Sequence, residues 1–225
     1  MSGEPLDSIF LGWHGFDGDR RFAFVRKGVL AGIPWLTASK LPQLISYKPV
    51  RRDTDNITEL PTHVLTPGGQ KLELRGEALR QELSNAYGAP VEVMQLDQGI
   101  FDEAKISIIS HSTIQAIEKE AGISLDVSRF RPNILLETID HRSFVEDGWL
   151  KKTIQFGEAT DGPAIYVQMR DLRCMMINLD PATADANPQV LKAVARMNDV
   201  YAGVYATVLS VGKVTVGDRL YLREQ

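Results

Sequence analysis

The single cysteine of the chain, Cys174, lies in the stretch DLRCMMINLD (residues 171–180), directly after Arg173 and close to Arg170. A guanidinium group binds phosphate through parallel hydrogen bonds, and its charge stabilises a neighbouring thiolate. A thiolate is in turn a soft ligand that suits soft and borderline metals. These residue types predict a metal ligand or a nucleophile at Cys174. The alternative is an inert buried thiol, because free cysteine is among the most buried residue types.

Two other segments carry closely spaced arginines. The sequence RFRPN (129–133) places Arg129 and Arg131 on one face if the segment is extended. The sequence GDRR (18–21) adds a second pair after a glycine. An anionic cofactor that carries both phosphate and a soft metal would use all of these groups. The alternatives are a surface ion pair for Arg129 and a simple turn for GDRR.

Common catalytic and nucleotide-binding signatures are absent from the sequence. It contains no G-x-G-x-x-G, no Walker loop and no G-x-S-x-G elbow. The four histidines show no metal-type spacing with one another or with Cys174, so we do not expect a zinc site. A net charge of −4 and a pI near 5.6 give no indication of nucleic-acid binding.

The sequence also indicates the cellular compartment of the protein. A single cysteine cannot form an intramolecular disulfide, the N-terminus is acidic where a signal peptide would be basic, and no apolar run reaches about 18 residues. We therefore expect a soluble cytoplasmic protein without a membrane span or a nucleic-acid partner.

The first third of the sequence is rich in β-formers and turn residues. It predicts strands at 20–25, 44–50 and 91–96 and a hairpin over 63–74. A leucine face predicts one helix, over 76–88.

The rest of the sequence also predicts mostly strands, with two helices. The pair Ser112 and Gln115 forms a capping-box pattern at the start of one helix, where Ser110 is a second capping candidate, and Gly122 closes that helix. Asn187 with Pro188 begins the other, over 187–200. Strands do not alternate regularly with helices, so the expected class is mainly β with a few helices (α+β) rather than a doubly wound sheet. The predicted strands lie at 105–110, 132–137, 152–157, 164–169 and 203–224.

Four stretches, in this order, carry a resemblance to a known family: ISIISHSTIQAIEKEAGISLDVSRFRPNILLE, FVEDGWLKKTIQFGEA, RCMMINLDPATAD and GKVTVGDRLYL. They resemble the MOSC domain of molybdenum cofactor sulfurases and of mitochondrial amidoxime-reducing components. GFDGDRRFAFV and LTASKLPQL resemble the β subdomain that precedes MOSC in those proteins. The resemblance implies a smaller N-terminal β subdomain over 1–96 and a MOSC β-barrel, of the pyruvate-kinase-like type, over 97–225.

The resemblance also implies a molybdenum–molybdopterin cofactor and the residues that hold it. Cys174 would be the metal ligand and a catalytic residue. Asp180 would be a second catalytic residue that handles protons; the alternative for Asp180 is a turn former before Pro181. The implied cofactor-binding residues are Arg20, Ser110, Thr113, Arg131, Asn133 and Arg173.

Two positions depart from the family pattern. Relatives begin with a strand that ends in Lys-Ser, whereas this sequence starts at MSGEPLD, just past that point, so either the pair is missing or the chain is short at its N-terminus. The usual Thr-Ala-Arg reads Thr37-Ala38-Ser39. Each lost charged hydrogen bond to an anionic cofactor would cost about 1.5–3 kcal/mol of binding free energy.

Three functions remain open from the sequence. The leading hypothesis is a molybdenum-dependent oxidoreductase that reduces N-hydroxylated or similar small substrates. Its electrons would come from a separate donor protein, a flavin, iron–sulfur or b-type cytochrome reductase. The alternatives are persulfide sulfur transfer through Cys174 and a non-catalytic cofactor-binding module.

Overall fold

The structure, a computed structural model, describes residues 1–29, 32–52 and 59–224. Strands predominate in these ranges, together with three α-helices and several short 3-10 helices. The strands are β1 (Ser8–Gly12), β2 (Gly15–Phe16), β3 (Phe22–Arg26), β4 (Lys48–Val50), β5 (His63–Leu65), β6 (Lys71–Glu73), β7 (Val91–Gln95), β8 (Ile106–Ser110), β9 (Ile134–Leu136), β10 (Thr153–Phe156), β11 (Ala164–Leu172), β12 (Tyr201–Ser210), β13 (Gly212–Thr215) and β14 (Leu220–Arg223). The α-helices are α1 (Glu77–Tyr87), α2 (His111–Ala121) and α3 (Gln189–Asn198), and 3-10 helices span Pro42–Ser46, Val127–Phe130, Val145–Trp149 and Met175–Asn178.

The chain forms two compact units that are interleaved along the sequence. Unit 1 contains 1–4, 18–100 and 181–185, and unit 2 contains 5–17, 101–180 and 186–225. The predicted domain division between residues 96 and 97 stays a prediction. The predicted limits also include 30–31, 53–58 and 225, which lie outside the described residues.

Unit 2 is built on a six-stranded sheet that curls into a half-barrel, in the order β14-β10-β11-β12-β8-β9. All of its neighbouring pairs are antiparallel except β8 and β9, which run parallel and are joined through α2. A second sheet pairs β13 with β1 and β1 with β2, which joins the first strand of the chain to one of the last. The predicted class, mainly β with a few helices, is confirmed.

Successive side chains of β8 point to opposite faces of the sheet and thereby contribute to two separate hydrophobic clusters in unit 2. Ile106 and Ile108 pack into a cluster that also contains Leu11 and Phe16. Ile109 points the other way, into a cluster with residues of α2 and α3. On α3 the buried positions recur at helical spacing, and complete burial of one such aliphatic side chain stabilises the fold by about 1.5–3 kcal/mol.

Unit 1 contains a two-stranded sheet, β3-β7, and a three-stranded sheet, β4-β5-β6. The predicted hairpin is confirmed, with Gly69 in the left-handed region at φ 81°. The predicted helix is also confirmed: Leu79 and Leu83 are buried on one face of α1, and Gly88 ends it at φ 80°. The predicted strand over 44–50 is only partly correct, because its first residues belong to the Pro42–Ser46 3-10 helix.

The Ser112–Gln115 capping box predicted for α2 is wrong, and the second capping candidate, Ser110, is correct. The N-cap is Ser110, whose hydroxyl accepts a hydrogen bond from the Thr113 amide, and Gln115 is exposed on the helix surface. The prediction for α3 is closer, since the Asn187 side chain accepts a hydrogen bond from the Gln189 amide at the first turn. In the part of the chain that the structure describes, no helix is both long enough and apolar enough to traverse a bilayer.

Candidate functional site

Cys174 lies at the point where β11 has ended and the Met175–Asn178 3-10 helix begins. It is the N-cap of that helix, with extended backbone angles, and the residue is exposed. Its carbonyl accepts a hydrogen bond of 3.4 Å from the Ile177 amide. The alternative of an inert buried thiol is therefore wrong.

Arg173, the preceding residue, points into the protein and is only 8% exposed. Its Nε donates to the Ala202 carbonyl at 2.6 Å, and its Nη1 donates to the Phe130 carbonyl at 2.8 Å. Nη2 lies 2.9 Å from Oδ2 of the buried Asp171, in an ion pair too poorly aligned for a hydrogen bond. Burial lowers the pKa of the Arg173 guanidinium below its ordinary value, and the Asp171 carboxylate opposes that change.

A chain of hydrogen bonds links Asp171 to the RFRPN segment. The Ser107 hydroxyl donates to Asp171 at 3.1 Å. The Ser107 amide donates to Oδ1 of Asn133 at 3.0 Å, and the Asn133 amide donates back to the Ser107 carbonyl at 2.8 Å. The Asn133 side chain therefore fixes the start of β9 against β8, and its predicted contact with a cofactor stays a prediction.

Arg131 is exposed, and its backbone has a left-handed conformation, φ 50°, at the C-cap of the Val127–Phe130 3-10 helix. It directly follows Phe130, whose carbonyl accepts the hydrogen bond from Arg173. Left-handed backbone is uncommon outside glycine and is maintained here by surrounding contacts. Arg131 and Cys174 are thus exposed residues on two segments that one buried side chain connects.

Arg129 joins the same two segments from another position. It is buried, its Nη1 donates to the Asn178 carbonyl at 3.0 Å, and its Nη2 lies 2.5 Å from Oδ2 of Asp180. The ion-pair alternative for Arg129 is therefore correct, although the guanidinium is buried rather than at the surface. These contacts agree with the turn-forming alternative for Asp180, and its proton-handling role stays a prediction.

Ser110 and Thr113 are fully buried at the start of α2. The Ser110 hydroxyl donates to the buried Glu146 carboxylate at 2.9 Å, and the Thr113 hydroxyl accepts from the Phe144 amide at 2.7 Å. Glu146 places a carboxylate at the positive end of the helix dipole, a position that favours an anion. Both hydroxyls are thus bonded within the protein, and their predicted contact with a cofactor stays a prediction.

Arg20, the remaining predicted cofactor contact, belongs to unit 1. Its backbone has φ 50°, and its carbonyl accepts a hydrogen bond of 3.2 Å from the Ile100 amide. The guanidinium lies 3.8 Å from the Asp19 carboxylate. The predicted role of Arg20 stays a prediction.

Another cluster surrounds Arg170, which the sequence analysis noted near the thiol. Its guanidinium stacks on Tyr201, with 4.0 Å from Cζ to the ring centroid, and lies 3.0 Å from Asp147. Nη2 also donates to the Asn198 side chain at 2.8 Å. These contacts connect β11 to the end of α3 and to the Val145–Trp149 helix, and they are separate from those of Arg173.

Gly203 is a site residue that sequence reasoning missed. Its φ is 83°, and a Cβ at this position would lie 2.4 Å from the Ile108 carbonyl oxygen and 3.1 Å from Nη2 of Arg173. Only glycine allows β12 to approach β8 and the buried guanidinium this closely. A lone glycine inside a strand pattern indicates a close backbone approach, and that feature in GVYATVLS could have identified it.

The sequence model of the MOSC domain family matches residues 88–221, more than half of the chain. The chain therefore belongs to the MOSC domain family, as its resemblance predicted. It is 24% identical over 144 residues to the molybdenum cofactor sulfurases of Drosophila pseudoobscura pseudoobscura and Drosophila persimilis. The match covers 63% of this chain but only 17% of the length of these curated relatives.

A solved structure with a similar fold is the YuaD protein from Bacillus subtilis. The superposition covers 98% of this chain and 86% of YuaD with a TM-score of 0.51, at 13% sequence identity. Similarity at this level of identity shows the fold alone.

The MOSC domain is associated with the molybdenum cofactor, and two observations test whether these residues suit such a group. Among the described residues, no cluster of three or more His, Cys, Asp or Glu side chains could hold a bare metal ion. A metal at Cys174 would therefore bring its other ligands with it, as a metal–pterin does. The exposed thiol offers a soft donor and the exposed Arg131 a cation for phosphate, so this donor chemistry fits.

Proposed function

We propose that this chain binds the molybdenum cofactor with Cys174 as the protein ligand to the metal. We further propose that it is an oxidoreductase that reduces N-hydroxylated or similar small substrates with electrons from a separate donor protein. When bound, the cofactor would supply the redox chemistry at the metal, and the protein would supply binding, orientation and electrostatics.

One observation carries this proposal: the exposed Cys174 and the exposed Arg131 lie on segments that the buried Arg173 holds together. Membership of the MOSC family supports the choice of cofactor. The curated relatives named molybdenum cofactor sulfurase support it too.

Each residue would have a distinct role in this function. The Cys174 thiolate would bind the metal, and Arg131 would pair its guanidinium with the cofactor phosphate. Arg20 and Asn133 are proposed as further cofactor contacts, from the family resemblance. Substrate would reach the metal from the solvent side, where the sulfur is exposed.

The test is to express the chain in a host that makes the cofactor and to measure molybdenum and pterin per protein. Cys174→Ser should lower bound molybdenum about tenfold or more, because loss of a ligand costs at least as much as loss of an outer contact. The matched control is Met175→Leu, which replaces the sulfur of the exposed neighbouring residue and should retain the metal. Folding of each variant is checked by circular dichroism.

Other outcomes would change the assignment. Correctly folded wild-type protein without molybdenum or pterin would contradict the proposal. Added sulfur on Cys174 after exposure to a persulfide donor, with no bound metal, would favour sulfur transfer instead. Metal-loaded protein that does not oxidise a chemical reductant when an N-hydroxylated substrate is added would be a cofactor-binding module rather than a reductase.

A further inference from the structure

The guanidinium of Arg173 is enclosed by the protein on every side that carries an N–H group. Nε and Nη1 donate to two backbone carbonyls, and Nη2 lies between the Asp171 carboxylate and the Gly203 backbone. The residue is 8% exposed. The guanidinium therefore lies inside the fold: Nε and Nη1 are hydrogen-bonded to carbonyls, and Nη2 is held by the ion pair with Asp171 alone.

The two carbonyls belong to different parts of unit 2. Ala202 lies in β12, at the centre of the six-stranded sheet, whereas Phe130 ends the Val127–Phe130 3-10 helix. Residues that the proposed function uses are adjacent to this bridge on both sides: Cys174 follows Arg173, and Arg131 follows Phe130. This buried side chain, together with that of Arg129, thus sets the distance between the backbones that carry the thiol and the exposed guanidinium.

Arginine is suited to this bridge for a geometric reason. Its planar fork directs Nε and Nη1 to two carbonyls at a fixed angle, while its charge balances the buried Asp171. A lysine at this position can keep the charge but presents a single ammonium on a flexible stem, so it cannot hold both carbonyls in the same way. The absence of a side chain at Gly203 leaves the space that the guanidinium needs.

We propose that Arg173 is a positioning residue that fixes Cys174 relative to Arg131, and that it does not contact the cofactor. This replaces the cofactor-binding role that the family resemblance implies for Arg173. The inference rests on the proposed function for the identity of the ligand. The coupling of the two segments by Arg173 does not depend on the cofactor and also holds in cofactor-free protein.

The test compares Arg173→Lys with Arg170→Lys, a matched change at the end of the adjoining strand β11, where the arginine contacts Asn198, Asp147 and Tyr201 instead. In cofactor-free protein we measure hydrogen exchange at the Arg131 and Ile177 amides, which donate to Ser128 and Cys174. Arg173→Lys should accelerate exchange at both amides about tenfold, the effect of losing one charge-assisted hydrogen bond. Arg170→Lys should leave both rates unchanged.

The second readout is molybdenum content after expression with the cofactor. Arg173→Lys should reduce it about tenfold, in proportion to the loosened segments, while Arg170→Lys retains it. If Arg173→Lys loses metal with unchanged exchange at both amides, Arg173 acts on the cofactor directly and the positioning role is overturned. If Arg173→Lys accelerates amide exchange but retains its full molybdenum content, the role of Arg173 in cofactor binding is overturned.

The two readouts also separate this inference from the proposed function. If wild-type protein never binds molybdenum, the proposed function fails, and the exchange rates still decide whether Arg173 couples the two segments. Should Arg173→Lys fail to fold, Asp171→Asn is the second variant, because it removes the charge that holds the guanidinium against both carbonyls. It should accelerate exchange at the same two amides by a smaller factor, and unchanged rates would overturn the coupling.

Discussion

Arg173 and Cys174 are consecutive residues with opposite environments, one buried and one exposed. The division arises because β11 ends at Leu172 and the chain turns into a 3-10 helix at Met175. A buried charge without partners costs several kcal/mol, so the carbonyls and the Asp171 carboxylate around Arg173 are required for the fold itself. The candidate site therefore consists of the exposed Cys174 and of the buried Arg173, whose contacts hold the segment in place.

Gly203→Ala tests the close approach of β12 to β8, which leaves the space that the Arg173 guanidinium occupies. We expect it to lower the free energy of unfolding by about 2–4 kcal/mol, since backbone strain and overpacking each contribute terms of that size. Its Cβ would lie 2.4 Å from the Ile108 carbonyl oxygen. Urea denaturation followed by circular dichroism measures the change.

The matched control is Gly148→Ala, where a Cβ would meet nothing within 4 Å. It should change the free energy of unfolding by no more than about 0.5 kcal/mol. Equal stability of Gly203→Ala and the wild type would contradict the contact with β8.

Sequence reasoning selected the exposed residues of the candidate site and missed several of the buried ones. Cys174 and Arg131 have unusual local chemistry, so their residue types and spacing were enough to select them. Glu146, Asp171 and Gly203 have roles that depend on backbone brought from distant strands, which no local pattern encodes. The implied roles of Ser110, Thr113, Arg20, Asn133 and Asp180 in cofactor chemistry stay predictions.

At the scale of elements, local signals predicted the ends of helices well. Gly88 and Gly122 adopt left-handed backbone at helix C-termini, and Pro188 stands at the start of α3. Pairings between strands far apart in sequence, such as β1 with β13, could not be predicted, because such pairs form through tertiary contacts. The 3-10 helix over Pro42–Ser46 was also missed, since its residues have the composition of a strand.

A single hydrogen bond connects that 3-10 helix to α1 and gives the fold a dependence on pH. Tyr47, the C-cap of the 3-10 helix, donates its hydroxyl to Glu82 at 2.6 Å. Burial raises the pKa of the Tyr47 hydroxyl well above its ordinary value, and the hydrogen bond and charge of Glu82 add to the change. The folded state therefore keeps this proton at a pH where the unfolded chain has lost it.

We expect the stability of the wild type to fall as pH rises above about 10, the ordinary pKa of a tyrosine in an unfolded chain. Below that pH the contribution of Tyr47 is fully present. Tyr47→Phe should lower stability at neutral pH by about 1 kcal/mol, through loss of the hydrogen bond, and should weaken the alkaline decline. Urea midpoints of both proteins across this pH range measure the effect, and parallel declines would contradict it.

At the scale of the whole molecule, the sequence order and the compact units do not coincide. Residues 5–17 belong to unit 2, although they precede nearly all of unit 1 in the chain. The match to the MOSC family model begins only at residue 88. The stability of the family domain in this protein therefore depends on residues outside the matched range.

Leu11→Ala tests that dependence. Leu11 is 0% exposed and packs in the core cluster of unit 2, so truncation should lower the free energy of unfolding by about 2–5 kcal/mol. Phe10→Ala on the same strand is the control, since Phe10 is largely exposed and should cost much less. Equal losses in urea denaturation would show that β1 is not part of this core.

The pairing of β1 with β13 has a consequence for synthesis on the ribosome. Most of unit 1 is one continuous segment, 18–100, and can form its contacts as soon as that segment has emerged. β1 emerges earlier still, yet its partner Gly212–Thr215 is translated only after unit 1 and most of unit 2. The first strand must wait with an unpaired edge until that segment has been made, a period in which nascent chains are prone to aggregate.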